Sequence, residues 1–200
     1  MQNSEKNTYS LSHIVIAVLS VVLMGLIVWM MVIVSNIQGS ARVVNYAGLV
    51  RGTTQRMVKM EMAGEPQDEM RREIEAYIHG LREGDASRSI VRLPDADFQQ
   101  KMTELNGYYL QVKQEIFHLR QTGKADSYLI AVSEQFFAIC DEATALAEVY
   151  SEKQARDLSV LEKGITADIF VLMILIGFEF FKALKRLMQN SVLQKKAYLD

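Results

Sequence analysis

Apolar and polar positions divide this chain into two long apolar runs with helical periodicity between them. Ile14 to Val34 is an uncharged run rich in Ile, Val, Leu and Met. At about 1.5 Å per residue it is long enough to cross the ~30 Å hydrocarbon core of a bilayer. A cleaved signal peptide would have a shorter apolar core, a more basic leader and a small-x-small cleavage site. The leader here carries only Lys6 as a basic residue, so a retained anchor is expected. The second run, Ile165 to Leu184, is interrupted by Asp168, Glu179 and Lys182. Its uncharged part, Ile169 to Phe178, is too short to span alone, so crossing requires Asp168 near one headgroup layer and Glu179 toward the other.

Lys182, Lys185, Arg186, Lys195 and Lys196 place the end of the second run in the cytoplasm by the positive-inside rule. The expected division is therefore a cytoplasmic tail at 1–13, a first span at 14–35 and an extracytoplasmic domain at 36–164. A second span at 165–184 and a cytoplasmic signalling helix at 185–200 complete it. A carboxylate at the depth of Glu179 costs roughly 2.5–3.5 kcal/mol on insertion scales. Two arrangements would offset this: a pair with Lys182 three residues on, or a polar contact with Ser20 of the first span.

Between the runs the period is that of helices. The first continues from the span through Gln38 to Met62 and is stopped by Ala63-Gly64-Glu65-Pro66, with glycine suited to a C′ position and proline to a following first turn. A second helix near 67–83 has Met70, Ile74, Tyr77, Ile78 and Leu81 on one face. Gly84 to Pro94 reads as a connection, and Asp95 as the N-cap of a third helix. That helix repeats Phe98, Met102, Leu105, Tyr109, Val112, Ile116 and Leu119, and ends at Thr122-Gly123. The fourth repeats Leu129, Val132, Phe136, Ile139, Ala143, Leu146 and Tyr150 in alternating steps of three and four, a bundle seam. Continuing that register puts Lys153 and Asp157 in the seam, then Val160 and Gly164. The predicted fold is all-α: two transmembrane helices flanking an antiparallel four-helix bundle, with helices continuous with the spans. In such rods a small sliding or rotation of the fourth helix reaches Leu184 and beyond, and Lys153, Asp157 and Glu179 are the expected relay positions.

One stripe on the first helix departs from core chemistry. Gly48, Arg51, Gly52, Gln55 and Lys59 follow one another at steps of three and four, with Asn45 a turn earlier. A glycine inside a helix costs roughly 1 kcal/mol relative to alanine, so two on one stripe imply close approach of another backbone. In a parallel homodimer this stripe would face itself across a two-fold axis, bringing two Arg51 side chains together. They repel unless an anion lies between them, and the planar guanidinium fork suits a flat oxyanion or carboxylate. A helix–helix contact with a solvated arginine is the plainer alternative.

Composition narrows the remaining chemistry. Of the 200 residues half are hydrophobic and 23% are charged, which suits a membrane protein with a sizeable aqueous part. The net charge of −2 gives no electrostatic case for nucleic acid. The single cysteine, Cys140, excludes an internal disulfide. His13, His79 and His118 share no metal-ligand spacing with it, and no phosphate loop or G-x-S-x-G elbow occurs. No enzyme, metal or cofactor is expected within these residues.

The run Asn45-Tyr46-Ala47-Gly48-Leu49-Val50-Arg51-Gly52-Thr53-Thr54-Gln55-Arg56-Met57 resembles the N-x-A-G-x-x-R-x-x-S/T-x-R signature of bacterial sensor receptors. It is similar to the P-box of nitrate/nitrite sensor kinases and to the related segment of pilus-type chemoreceptors. The resemblance implies a dimeric bacterial inner-membrane receptor with an extracytoplasmic four-helix bundle, and an anion contact by Arg51 at the dimer interface. Gly52 and Thr53 depart from the bulkier residues common in nitrate sensors. Lys195-Lys196-Ala197-Tyr198-Leu199-Asp200 resembles the lead-in to GGDEF diguanylate cyclase domains. That resemblance implies a cytoplasmic output making cyclic-di-GMP; a histidine kinase or chemoreceptor output, or a ligand-free dimerisation scaffold, are the alternatives.

Overall fold

The computed structural model describes residues 2–125 and 127–197. They form four α-helices, α1 (Gln2–Met62), α2 (Asp68–Glu83), α3 (Ala96–Thr122) and α4 (Ser127–Ala197), with one 3-10 turn at Ala86–Arg88. No strand occurs among the described residues, only an isolated bridge between Asp85 and Ile90. The chain is all-α.

The helix ends follow local chemistry. α1 stops in a Schellman arrangement, with the Glu65 N–H donating to the Met60 carbonyl (2.9 Å) and the Gly64 N–H to that of Glu61 (3.0 Å). Gly64 takes φ 83° there, a left-handed conformation open to glycine. α2 begins without a side-chain cap of its own, and the Glu61 carboxylate instead accepts the Gln67 N–H at 2.7 Å. Asp95 caps α3 by accepting the Phe98 N–H at 2.9 Å. Gly123, at φ 66°, closes it.

Residues 34–156 form one compact unit, and residues up to Ile33 together with those from Asp157 form another. In the first unit all four helices contribute to one core. α1 supplies Val43, Ala47, Val50 and Met57, and α2 supplies Ile74, Ile78 and Leu81. Every apolar position read on α3, from Phe98 to Leu119, is buried. α4 adds Leu129, Val132, Phe136, Ile139, Cys140, Ala143 and Ala147. The Tyr109 hydroxyl reaches the Arg71 carbonyl at 3.2 Å, so its buried polar end is satisfied.

In the second unit, Val21, Trp29, Phe170, Ile174, Phe178 and Phe181 are exposed. α1 and α4 are each long and apolar enough to cross a membrane by length and composition, over segments within Leu11–Met62 and Ser127–Ser191.

The register of α4 differs from the expected seam. Lys153, Asp157, Val160 and Gly164 are exposed, while Gln154, Leu158, Leu161 and Ile165 lie inward. Strict three–four alternation assumes 3.5 residues per turn, whereas a straight helix has 3.6 and drifts about 20° per heptad. From Leu129 to Lys153 that drift reaches about 70°, most of one residue's rotation. Each expected position therefore moves one residue on, and Lys153 and Asp157 leave the seam.

Candidate functional site

The inward face of α1 is set by Val43, Ala47, Val50, Thr54, Met57 and Glu61, all buried. Asn45, Gly48, Arg51, Gly52, Gln55 and Lys59 are all exposed. Among the described residues no other segment of the chain closes on the glycines. A Cβ added to Gly48 or Gly52 would meet no atom within 4 Å. The helix therefore carries two costly glycines that no atom among the described residues covers.

Arg51 does not stand unpartnered. Its Nη1 lies 2.6 Å from Asp141 Oδ1 on α4, with the two side chains 49% and 55% exposed. An ion pair this open to solvent is worth about 0–1 kcal/mol, so an incoming anion displaces it at little cost. Asn45, Gln55 and Lys59 have no side-chain partner among the described residues. Beside the pair, burial pushes the Cys140 thiol up to about 12, with a smaller contribution from the charge of Asp141.

A second polar centre escaped the sequence reading. Glu61 falls four residues after Met57 on the inward face, and its side chain is only 2% exposed. Arg120 of α3 grips it with two parallel bonds, Nε to Oε2 at 2.9 Å and Nη2 to Oε1 at 2.5 Å. Arg120 Nη1 also reaches Asp68 of α2 at 3.0 Å. The Glu61 hydrogen bond raises the Arg120 pKa, and the Arg120 hydrogen bond lowers that of Asp68. One guanidinium thus ties together α1, α2 and α3. A carboxylate in a core register was the available signal, because a buried charge requires a partner.

A third cluster joins α1, α2 and the connection after α2. Tyr46 meets Tyr77 edge-on with ring centroids 5.1 Å apart, and the Arg88 guanidinium lies 5.9 Å from the Tyr77 ring centroid. Arg88 in turn pairs with Asp85 at 2.5 Å. The Tyr77 hydroxyl bonds to Glu73, which with burial pushes the phenol up to about 12.

Of the expected relay positions, Lys153 and Asp157 are solvent-facing. Glu179 pairs with Lys182 at 3.0 Å, the first of the two expected arrangements. The second does not form: the Ser20 hydroxyl donates to the Ile16 carbonyl of its own helix at 2.9 Å. Ser12 takes that place, donating to Glu179 with His13 nearby. Ser20 lies eight residues further along α1, about 12 Å away along the axis. Lys195, Lys196 and Ala197 fall in α4, whereas Tyr198, Leu199 and Asp200 of the cyclase-like run lie outside the described residues.

No group of three metal-binding side chains occurs among the described residues. No protein-family model matches the chain, and no curated protein sequence matches it significantly.

Proposed function

We propose that the chain is the sensing and relay region of a dimeric bacterial membrane receptor that binds a small anion or carboxylate outside the cell membrane. In this reading α1 and α4 each contribute one span, residues 36–164 form an antiparallel four-helix bundle, and its outer helices continue into the spans. Both termini are cytoplasmic, and the output is most simply cyclic-di-GMP synthesis. The observation that carries the reading is the uncovered face of α1, where two glycines in open space flank Arg51. A second copy fits that face, since small residues permit close approach and two arginines then share one anion.

The Arg51–Asp141 pair supplies a route from ligand to α4. An anion that takes the Arg51 fork releases Asp141, and α4 loses one exposed tie to α1. The test is calorimetry on the whole chain in nanodiscs with nitrate and with small mono- and dicarboxylates. Arg51→Ala abolishes binding, whereas Asp141→Asn removes a competitor worth about 1 kcal/mol and tightens binding about fivefold. Binding that survives Arg51→Ala unchanged refutes the assignment.

The second reading is a ligand-free dimerisation scaffold. It is favoured by the same ion pair, because Asp141 already neutralises Arg51 without an outside anion. Failure of every anion to bind, with the dimer intact, selects it.

A further inference from the structure

The connection after α2 forms a strap that closes on α1. Val91 packs over Gly39 so tightly that a Cβ on Gly39 would lie 2.8 and 2.9 Å from the two Val91 methyl carbons. At its other end the strap is held by Arg88, through Asp85 and the Tyr77 ring. Gly39 comes five residues after Val34, where the apolar run ends, which is about 8 Å along a helix. This distance lies within the headgroup layer of a bilayer whose hydrocarbon core stops at Val34.

Strap and helix together enclose an open cleft of about 680 Å³. Its walls include the exposed Ser35, Gln38, Arg42 and Ser89, which present hydroxyl, amide and guanidinium donors. The carboxylates there are engaged: Asp85 accepts from Ser87 and Arg88, and Glu83 lies 3.9 Å from Arg82. Arg42 has no carboxylate partner among the described residues. Val91, also in the cleft wall, remains 42% exposed. An apolar tip on a cleft that carries the unpaired Arg42 and a row of hydroxyl and amide donors, at headgroup depth, matches an anionic phospholipid in both charge and polarity.

We infer that this cleft binds the phosphate of an anionic phospholipid of the outer leaflet, holding the strap and the adjoining turn of α1 to the membrane surface. The inference rests on the membrane reading above but not on Arg51. It is tested by hydrogen exchange of strap amides 85–92 with the whole chain in nanodiscs of phosphatidylcholine, with or without phosphatidylglycerol. Phosphatidylglycerol slows exchange there, and Arg42→Gln raises the lipid fraction needed for half protection about fivefold. Arg42 is exposed and unpaired, so the variant keeps its helicity.

Equal exchange in the two lipids overturns the inference while leaving the sensor reading intact. Equal protection by inorganic phosphate in phosphatidylcholine discs also overturns it, because the source is then free phosphate. Failure of the chain to co-elute with discs overturns both readings together.

Discussion

Replacing Gly48 and Gly52 by alanine separates a chain that stands alone from one that pairs through α1. Neither added methyl meets an atom within 4 Å, so neither clashes inside the chain. Each removes a helix-interior glycine worth about 0.8–1.0 kcal/mol, so an isolated chain gains about 2 kcal/mol from the pair. At an interface the sign reverses. Overpacking costs typically 1–3 kcal/mol per site, so an interface using both glycines loses at least ~2 kcal/mol, about thirtyfold in Kd. Energy transfer between donor- and acceptor-labelled chains, diluted in micelles, gives the Kd. Urea unfolding at low protein concentration gives the stability of the single chain. The proposed dimer predicts a weaker association and a more stable monomer in the same variant. An unchanged Kd alongside the stability gain refutes pairing through this face.

Arg120→Met leaves the buried Glu61 carboxylate without its guanidinium and costs about 3–5 kcal/mol; with a urea dependence of about 2 kcal/mol/M the midpoint falls by about 2 M. A shift below about 0.5 M would reduce the pair to a surface contact. Asp85 is held down to about 2, first by the Ser87 hydrogen bond and then by Arg88. Its folded pKa is below its unfolded value of 3.8, so its contribution is present above about pH 4 and is lost as pH falls toward about 2. Thermal unfolding across that window becomes less pH-dependent in Asp85→Asn; an unaltered profile contradicts the assignment.

What the sequence revealed was governed by short range. The stop at Gly64-Glu65-Pro66, the Asp95 cap and the Gly123 terminator lie within one turn of the ends they set, and all three are legible. The α3 core face was legible because its seven repeating positions, Phe98 to Leu119, are all apolar or aromatic. On α4 the register was carried past the apolar repeat that ends at Tyr150, where no side chain reports the drift, and Lys153 and Asp157 fell outside it. The two long-range ion pairs were invisible for a different reason. Glu61 and Arg120 are 59 residues apart, and Arg51 and Asp141 are 90 apart, so no local period links them. Opposite charges at such separations become partners only when helix packing sets their register. The Gly39–Val91 contact was hidden likewise, since the two residues are far apart in the chain and no local period links them.

The hydrogen bond between Ser40 and Ser151 closes a separation of 111 residues. At about 5–20 residues per second a ribosome takes roughly 5–20 s to make that stretch. During that interval α1, α2 and α3 exist without Phe136, Ile139, Ala143 and Ala147, which complete their core. Helices form within microseconds, so the nascent 34–156 unit waits with its apolar side open for a time far longer than local folding needs. Its yield in the cell then depends on what shields that side until Ala147 has been synthesised and delivered.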